Sequence, residues 1–316
     1  MDVSVLMSVY NGEKYLRKAI DSILNQTFQD FEFIIVNDGS TDGSEAIIKS
    51  YVDNRIIYIE RENGGLSAAL NTGLFAAEGK YIARMDADDI SLKDRLEKQY
   101  NFMEAHDNIV ALGAGITYMD EDGNLIFSYV NKMNPIDIRK NILQMCPIAH
   151  PTAFYRKDVA ISCGGYYEKI KQYFEDHLLF KKMLKYGELM NLQEPLLKYR
   201  LVSTSITSNK AFKSDYMAIR QRTLVNEHIS DEDRDRLFEI KKFGNTDNNF
   251  KKSKYYLYIG KLYLWRNPKK TLSRKNIKKS IITHFSLQAT ALYFITFLPS
   301  SIVVYLYNLI DKTRIK

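Results

Sequence analysis

Gly79-Lys80-Tyr81-Ile82-Ala83-Arg84-Met85-Asp86-Ala87-Asp88-Asp89 decides how this chain is read. Lys80–Met85 is a short apolar run that predicts a buried strand, and three aspartates follow it without a spacer. In open α/β sheets ligands collect outside the carboxyl ends of the strands, so acids placed there carry more weight than acids elsewhere. Asp86 and Asp88, two residues apart, suit a hard divalent cation (Mg²⁺ or Mn²⁺) whose shell a diphosphate would complete. The bland reading of D-x-D is a polar turn or a helix cap. The buried strand before it and the third acid, Asp89, weigh against that reading.

The flanking sequence alternates in period. Val3–Tyr10, Phe31–Val36 and Arg55–Glu60 are β-branched or apolar runs that predict further strands. Between them, Tyr15, Leu16, Ala19, Ile20, Ile23 and Leu24 recur at helical spacing, as do Leu66, Ala69, Leu70, Gly73, Leu74 and Ala77. Thr41 and Asp42 offer caps for a helix through Ile47, Ile48 and Val52, and Ser91 with Asp94 reads as a capping box before Leu92, Leu96, Tyr100 and Met103. This order predicts a mostly parallel sheet with helices on both faces. Strands are then expected at Ile109–Met119, Leu125–Val130, Pro151–Tyr155 and Leu192–Tyr199, with a helix over Glu175–Tyr186. Asp38 follows the second strand directly and would share the aspartate edge; alone, it reads equally as an Asx turn. A dinucleotide site also places an acid after strand two, but it needs a Gly-rich first turn, and here that turn is Ser8-Val9-Tyr10-Asn11-Gly12. No G-x-x-x-x-G-K-[ST] occurs.

The chain has 316 residues, 45% hydrophobic and 26% charged, which excludes disorder and low complexity. Two cysteines, Cys146 and Cys163, exclude a disulfide scaffold, and no Cys/His cluster suggests zinc; reduced cytosolic thiols are expected. No basic-then-apolar stretch precedes the first strand, so no signal peptide is expected. The net charge of +7 is uneven: residues 241–284 hold thirteen Lys/Arg against the single acid Asp247. The acidic N-terminal part and basic C-terminal part point to one local anionic partner.

In these motifs the sequence resembles the family-two glycosyltransferases of the GT-A fold, over roughly residues 2–200. The resemblance is carried by Val3–Asn11, by Val36-Asn37-Asp38-Gly39-Ser40-Thr41-Asp42, and by Asn63-Gly64-Gly65-Leu66-Ser67 with Asn71 and Gly73. It continues through Gly79–Asp89, His150-Pro151, Gly164-Gly165-Tyr166 and Glu175-Asp176. It looks nearest to bacterial enzymes that build exopolysaccharide or O-antigen repeat units, the amylovoran-synthesis subgroup among them. The resemblance implies a metal-dependent, inverting transfer from a UDP-sugar. It implies that Val9, Tyr10, Asn11 and Asp38 hold the uracil end, that Asn71 and Asp86 lie at the nucleotide-sugar, and that Asp88 ligates the metal. Asp176 would be the general base on the acceptor hydroxyl; judged from the residues alone, an acid opening a helix also serves the helix dipole. His150 and His177 are read as structural. Three departures stand out. Leu70-Asn71 replaces the Arg-Asn of many relatives, Tyr173-Phe174 is bulky before Glu175, and no Q-x-x-R-W element follows Asp176. The last favours a single transfer per event over polymerisation. A non-catalytic nucleotide-sugar-binding scaffold is the alternative.

The expected organisation is therefore a GT-A α/β catalytic domain at 1–205, a basic helical region at 206–284, and an apolar segment at 285–316. From Phe285 to Ile310 no residue is charged, and as one helix that run would reach ~39 Å. Pro299 and scattered Ser, Thr, Gln and Asn favour two short helices lying in or dipping into a bilayer interface. With flanking Lys and Arg, this predicts attachment to anionic lipid at the cytoplasmic face of a bacterial inner membrane. A lipid-linked saccharide acceptor would be met there. Aromatics among bases could also suit RNA, but no RNA module is visible and no nucleic-acid partner is expected.

Overall fold

The computed structural model describes residues 1–171, 173–203, 213–243 and 248–314. The expected boundary at 205/206 lies outside the described residues, as does Lys316.

The chain opens with β1 (Val3–Val9), α1 (Glu13–Leu24), β2 (Phe31–Asp38), α2 (Ser44–Lys49), β3 (Ile56–Arg61), α3 (Leu66–Ala76) and β4 (Tyr81–Asp86). Next come β5 (Ile90–Ser91), α4 (Arg95–Glu104), β6 (Ile109–Met119), β7 (Leu125–Tyr129) and α5 (Pro135–Asn141). A 3-10 turn at His150–Thr152 leads into β8 (Phe154–Arg156), α6 (Lys157–Ser162), α7 (Glu175–Met183) and β9 (Glu188–Arg200). The described strands form one sheet in the order β3-β2-β1-β4-β8-β6-β9-β5, with β7 on β6. The first four are parallel, and β8 pairs antiparallel with both β4 and β6. Strand order therefore reverses between β1 and β4. Both sides of each central strand are buried: Leu6, Ile34, Val36 and Ile82 pack with Ala69, Leu70 and Leu74 of α3, and the alternate Val5, Met7, Phe33, Ile35 and Ala83 are equally enclosed.

Several local expectations fail for identifiable reasons. Ser91 makes no capping box; its hydroxyl lies between Gln26 and the Leu92 carbonyl, because Ile90–Ser91 is recruited as β5 against β9. Asp94 takes the N-cap position without a side-chain cap bond. Asp42 does receive the Ser44 N–H, but the helix it precedes stops at Lys49 and Val52 is fully exposed. Pro151–Thr152 are in the 3-10 turn, since proline supplies no ladder donor, and the strand starts at Phe154.

The chain divides into two compact units. The first holds 1–117, 128–199 and 214–237, and the second 118–127, 200–213 and 238–316. In the first lies α8 (Lys213–Asn226) from Ser214 onward, with α9 (Asp231–Phe243) beginning there. In the second, α10 (Asn248–Trp265), α11 (Lys270–Thr283), α12 (Leu287–Ile295) and α13 (Ser300–Arg314) enclose Leu257, Leu264, Ile277, Ala289, Leu292 and Val303. The apolar run is thus two helices broken at Pro299, as its composition predicts. Among the described residues no helix is long and apolar enough to cross a membrane.

Candidate active site

Strand register places the acids. Ser8 pairs with Val36 on one side and Asp86 on the other, so side chains at 8, 36 and 86 share a face of the sheet. The two-residue period then adds Asp38 to Val36 on β2 and Arg84 to Asp86 on β4. This is the face that α3 covers, at the carboxyl ends of the strands and at the point where their order reverses. Asp86, Asp88 and Asp89 gather there, each offering an oxygen within 4.8 Å of the others. Three carboxylates are a hard donor set that fits Mg²⁺ or Mn²⁺ and would suit neither zinc nor copper well.

Two buried guanidiniums lie behind the acids. Arg84 Nη1 is 2.5 Å from Asp86 Oδ2. Burial works against the Arg84 charge, but Asp86 outweighs it and holds the guanidinium fully ionised. Arg95, wholly enclosed, donates to the Arg84 carbonyl at 2.7 Å and to Gln99 Oε1 at 2.9 Å. Burial first, and Arg84 second, push its guanidinium down to about 9. Both arginines were missed as site residues. Arg84 could have been found, because it stands two residues before Asp86 in a strand and so must share its face.

The first βα turn is shaped by Asn11, whose φ of 52° is left-handed, a conformation asparagine tolerates better than most residues. Its backbone N–H reaches Ser40 Oγ at 3.0 Å and its Oδ1 receives the Thr41 N–H at 2.8 Å, tying the two turns together. Val9 is buried and Tyr10 is 56% exposed beside it. Asp38 is buried and receives the N–H groups of Gly64 and Gly65 at 3.0 and 2.9 Å, with Arg61 Nε at 3.4 Å. Gly39 makes this possible: its φ is +73°, and a Cβ there would lie 2.8 Å from the Asn63 nitrogen. Asn71 spends its amide on the loop before α7, receiving Tyr166 N–H and donating to the Tyr166 carbonyl, both at 2.8 Å, and donating to Glu168 Oε1 at 2.9 Å. It holds that loop against α3.

The Glu175-Asp176 pair opens α7. Burial, then Asp176, pushes the Glu175 carboxyl up to about 8. Its Oε1 lies 3.8 Å from His150 Nδ1, while its Oε2 is buried with no hydrogen-bond partner. His150 Nε2 meets Tyr166 Oη at 3.0 Å, and Tyr166 meets Tyr155 Oη at 3.1 Å, so a buried polar string ends on Glu175. Burial holds the His150 imidazole well below its ordinary value, so it is neutral. Burial also raises the Asp176 carboxyl, against the His177 N–H, Arg84 and the Cys146 thiol, which favour its ionised form. His177 turns away and meets the Ile142 carbonyl. Arg84, ion-paired with Asp86, also acts electrostatically on both Glu175 and Asp176. Asp38 stands on the same edge, bonded to its own loop.

A GT-A α/β fold with a carboxylate cluster at its switch point is the class of protein that fold and site define. Residues 4–165 match the family described as Glycosyl transferase family 2. The chain belongs to that family. It is 39% identical over 217 residues to the O-antigen biosynthesis glycosyltransferase WbnJ of Escherichia coli, covering 64% of this chain and 81% of that protein. It is 38% identical over 205 residues to an uncharacterized glycosyltransferase of Methanocaldococcus jannaschii, covering 63% and 70%. Among solved structures, S. aureus TarS 1–349 in complex with UDP aligns with a TM-score of 0.56 at 19% identity, over 98% of this chain and 92% of that one. Mannosyltransferase PcManGT from Pyrobaculum calidifontis, in complex with GDP-Man and Mn²⁺, aligns at 0.55 and 15% identity, over 98% and 87%. These likenesses show the fold.

Proposed function

We propose that this chain transfers a sugar from a UDP-sugar, with inversion, to a hydroxyl of a saccharide carried on a polyprenyl diphosphate, in the synthesis of a surface polysaccharide. The observation that carries the proposal is the acid cluster Asp86, Asp88, Asp89 at the switch point, sharing the field of Arg84 with the buried pair Glu175-Asp176. The names of similar proteins support a nucleotide-sugar donor and a polysaccharide product: one is named for O-antigen biosynthesis, one was solved with UDP, and one with GDP-Man and Mn²⁺.

In this proposal Val9, Tyr10 and Asn11 border the uracil, and Asp38 retains acceptor capacity for it beyond its two backbone bonds. Asn71 acts on the donor through the loop it holds. Asp88, with Asp86 beside it, would hold a divalent cation, which supplies neutralising charge to the departing diphosphate. Asp176 takes the proton from the acceptor hydroxyl as that oxygen attacks the anomeric carbon opposite the UDP. Burial raises its basicity, which suits that task.

An acceptor confined to a bilayer calls for an enzyme held at its surface. Phe285, Leu287, Phe294, Phe297, Val304 and Tyr305 are all more than half exposed on the last two helices and the turns beside them. Lys252, Lys269, Lys275 and Lys278 are exposed in the same unit. We assign this surface to anionic inner-leaflet lipid on the cytoplasmic side.

The test is UDP release from a panel of UDP-sugars with a synthetic polyprenyl-diphosphate saccharide, with and without Mg²⁺ or Mn²⁺. One donor is expected to turn over, to need metal, and to give a product of inverted anomeric configuration. Asp176→Asn is expected to lose turnover at least a hundredfold while still binding UDP. UDP binding with no turnover of any donor, and polysaccharide production unchanged in Asp176→Asn cells, would identify a binding scaffold instead.

A further inference from the structure

Cys146 lies between α5 and the 3-10 turn at His150 and is partly buried. Its Sγ is 3.6 Å from Asp176 Oδ2 and 3.4 Å from the Ile148 carbonyl oxygen. The other Asp176 oxygen receives the His177 N–H at 2.7 Å. A thiol has one hydrogen, and here it has two acceptors within reach. An ionised carboxylate is a stronger acceptor than an amide carbonyl, and a protonated carboxyl is a weaker one. We infer that Cys146 is a positioning residue for Asp176: its S–H holds the ionised carboxylate aimed at the acceptor hydroxyl, and turns to Ile148 once Asp176 has taken the proton. The inference rests on Asp176 as the general base.

The thiol is fit for this part because it stays protonated. Burial, and the Asp176 charge beside it, hold it well above the ordinary thiol range, so Cys146 is a donor and no thiolate nucleophile. Turning one S–H between two acceptors breaks no covalent bond. It also keeps the thiol hydrogen bonded in both protonation states of the base, to Asp176 in one and to Ile148 in the other, which a backbone N–H, fixed in direction, could not do. The other groups bearing on Asp176 are Glu175 and the His177 N–H from α7, Arg84 from β4, Tyr166 from the loop before α7, and Tyr216 from α8. Arg84 and the His177 N–H favour the carboxylate along with the thiol, and Glu175, where ionised, opposes it.

The test is the pH profile of kcat/KM for Cys146→Ala, Cys146→Val and Cys146→Ser with the full chain at saturating metal. Without the S–H, Asp176 binds its proton more tightly, so the acid limb moves to higher pH by roughly half a unit. That shift is about a threefold loss below the limb, while the alkaline plateau stays within about twofold of wild type. Cys146→Val keeps the volume without the donor and is read if the alanine variant does not fold. Cys146→Ser restores a donor and returns the limb toward wild type. A uniform loss at every pH, or a profile that superimposes on wild type, overturns the inference. Asp176→Asn tells the two levels apart. If that variant keeps turnover, the base assignment fails and takes this inference with it. If it is inactive and the cysteine variants are unshifted, only the role of Cys146 falls.

Discussion

At the scale of single residues, Glu175 carries an electrostatic cost that the fold tolerates for the sake of the site. Its folded carboxyl stands at about 8 against an ordinary value of 4.5, from burial and the adjacent Asp176. A carboxyl raised on folding favours the protonated form. Its contribution to stability is full below about 4.5 and is lost as pH rises through 8. Glu175→Gln removes that penalty. Its thermal midpoint should therefore approach wild type at pH 4.5 and exceed it progressively toward pH 8, by on the order of 2 kcal/mol or several degrees. Melting curves across that range check it, and a gain independent of pH would contradict it. Asp38 is the converse case. Asp38→Ala leaves the Gly64 and Gly65 N–H groups unpaired beside a buried strand end, and about 2–3 kcal/mol of stability should go with them in a denaturant titration.

At the scale of elements, α3 fixes the depth of the site. Gly73 faces the sheet, and a Cβ there would stand 2.1 Å from Leu6 Cδ1 and 3.1 Å from Val36 Cγ2. Helix propensity alone says that Gly73→Ala gains about 1 kcal/mol. Both neighbours are fully enclosed, so overpacking wins and the variant should lose about 1–3 kcal/mol in the midpoint of chemical denaturation. A stabilised variant would show that α3 has room to move away from β1 and β2. α3 also carries Asn71, which grips Tyr166, whose hydroxyl meets His150, so any such displacement should register at Glu175.

At the scale of the molecule, the second unit is an independent test of the membrane proposal. Removing 285–316 would strip Ala289, Leu292 and Val303 from the core they share with Leu257, Leu264 and Ile277, so truncation would confound attachment with unfolding. Leu287→Ser, Phe294→Ser and Tyr305→Ser alter exposed side chains. The triple variant should keep its melting curve and lose at least tenfold in cosedimentation with vesicles of anionic phospholipid. Wild-type binding should weaken with added salt, as lysine attraction is screened. Equal binding by the variant, or none by wild type, would end the membrane assignment.

Sequence alone determined the elements whose two signals agree. Buried apolar runs, two of them ending on an acid, gave β1, β2 and β4 within a residue or two of their observed limits, and Pro299 divided the terminal apolar run. The helix Pro135–Asn141 was legible but unread: Asn134 caps it by accepting the Asp137 N–H, and proline sits at its first turn. What only the tertiary structure decided is what meets across long sequence separations. Ile90–Ser91 becomes a strand because β9 offers it an edge, where local signals favour a cap. Asp38 stands at the aspartate edge and Asn71 on α3, and their polar atoms go to Gly64, Gly65, Tyr166 and Glu168. No periodicity announces Cys146 at 3.6 Å from an acid thirty positions on. Propensity and pattern are properties of neighbours along the chain, while hydrogen-bond satisfaction and desolvation are settled only when distant segments close around a buried group.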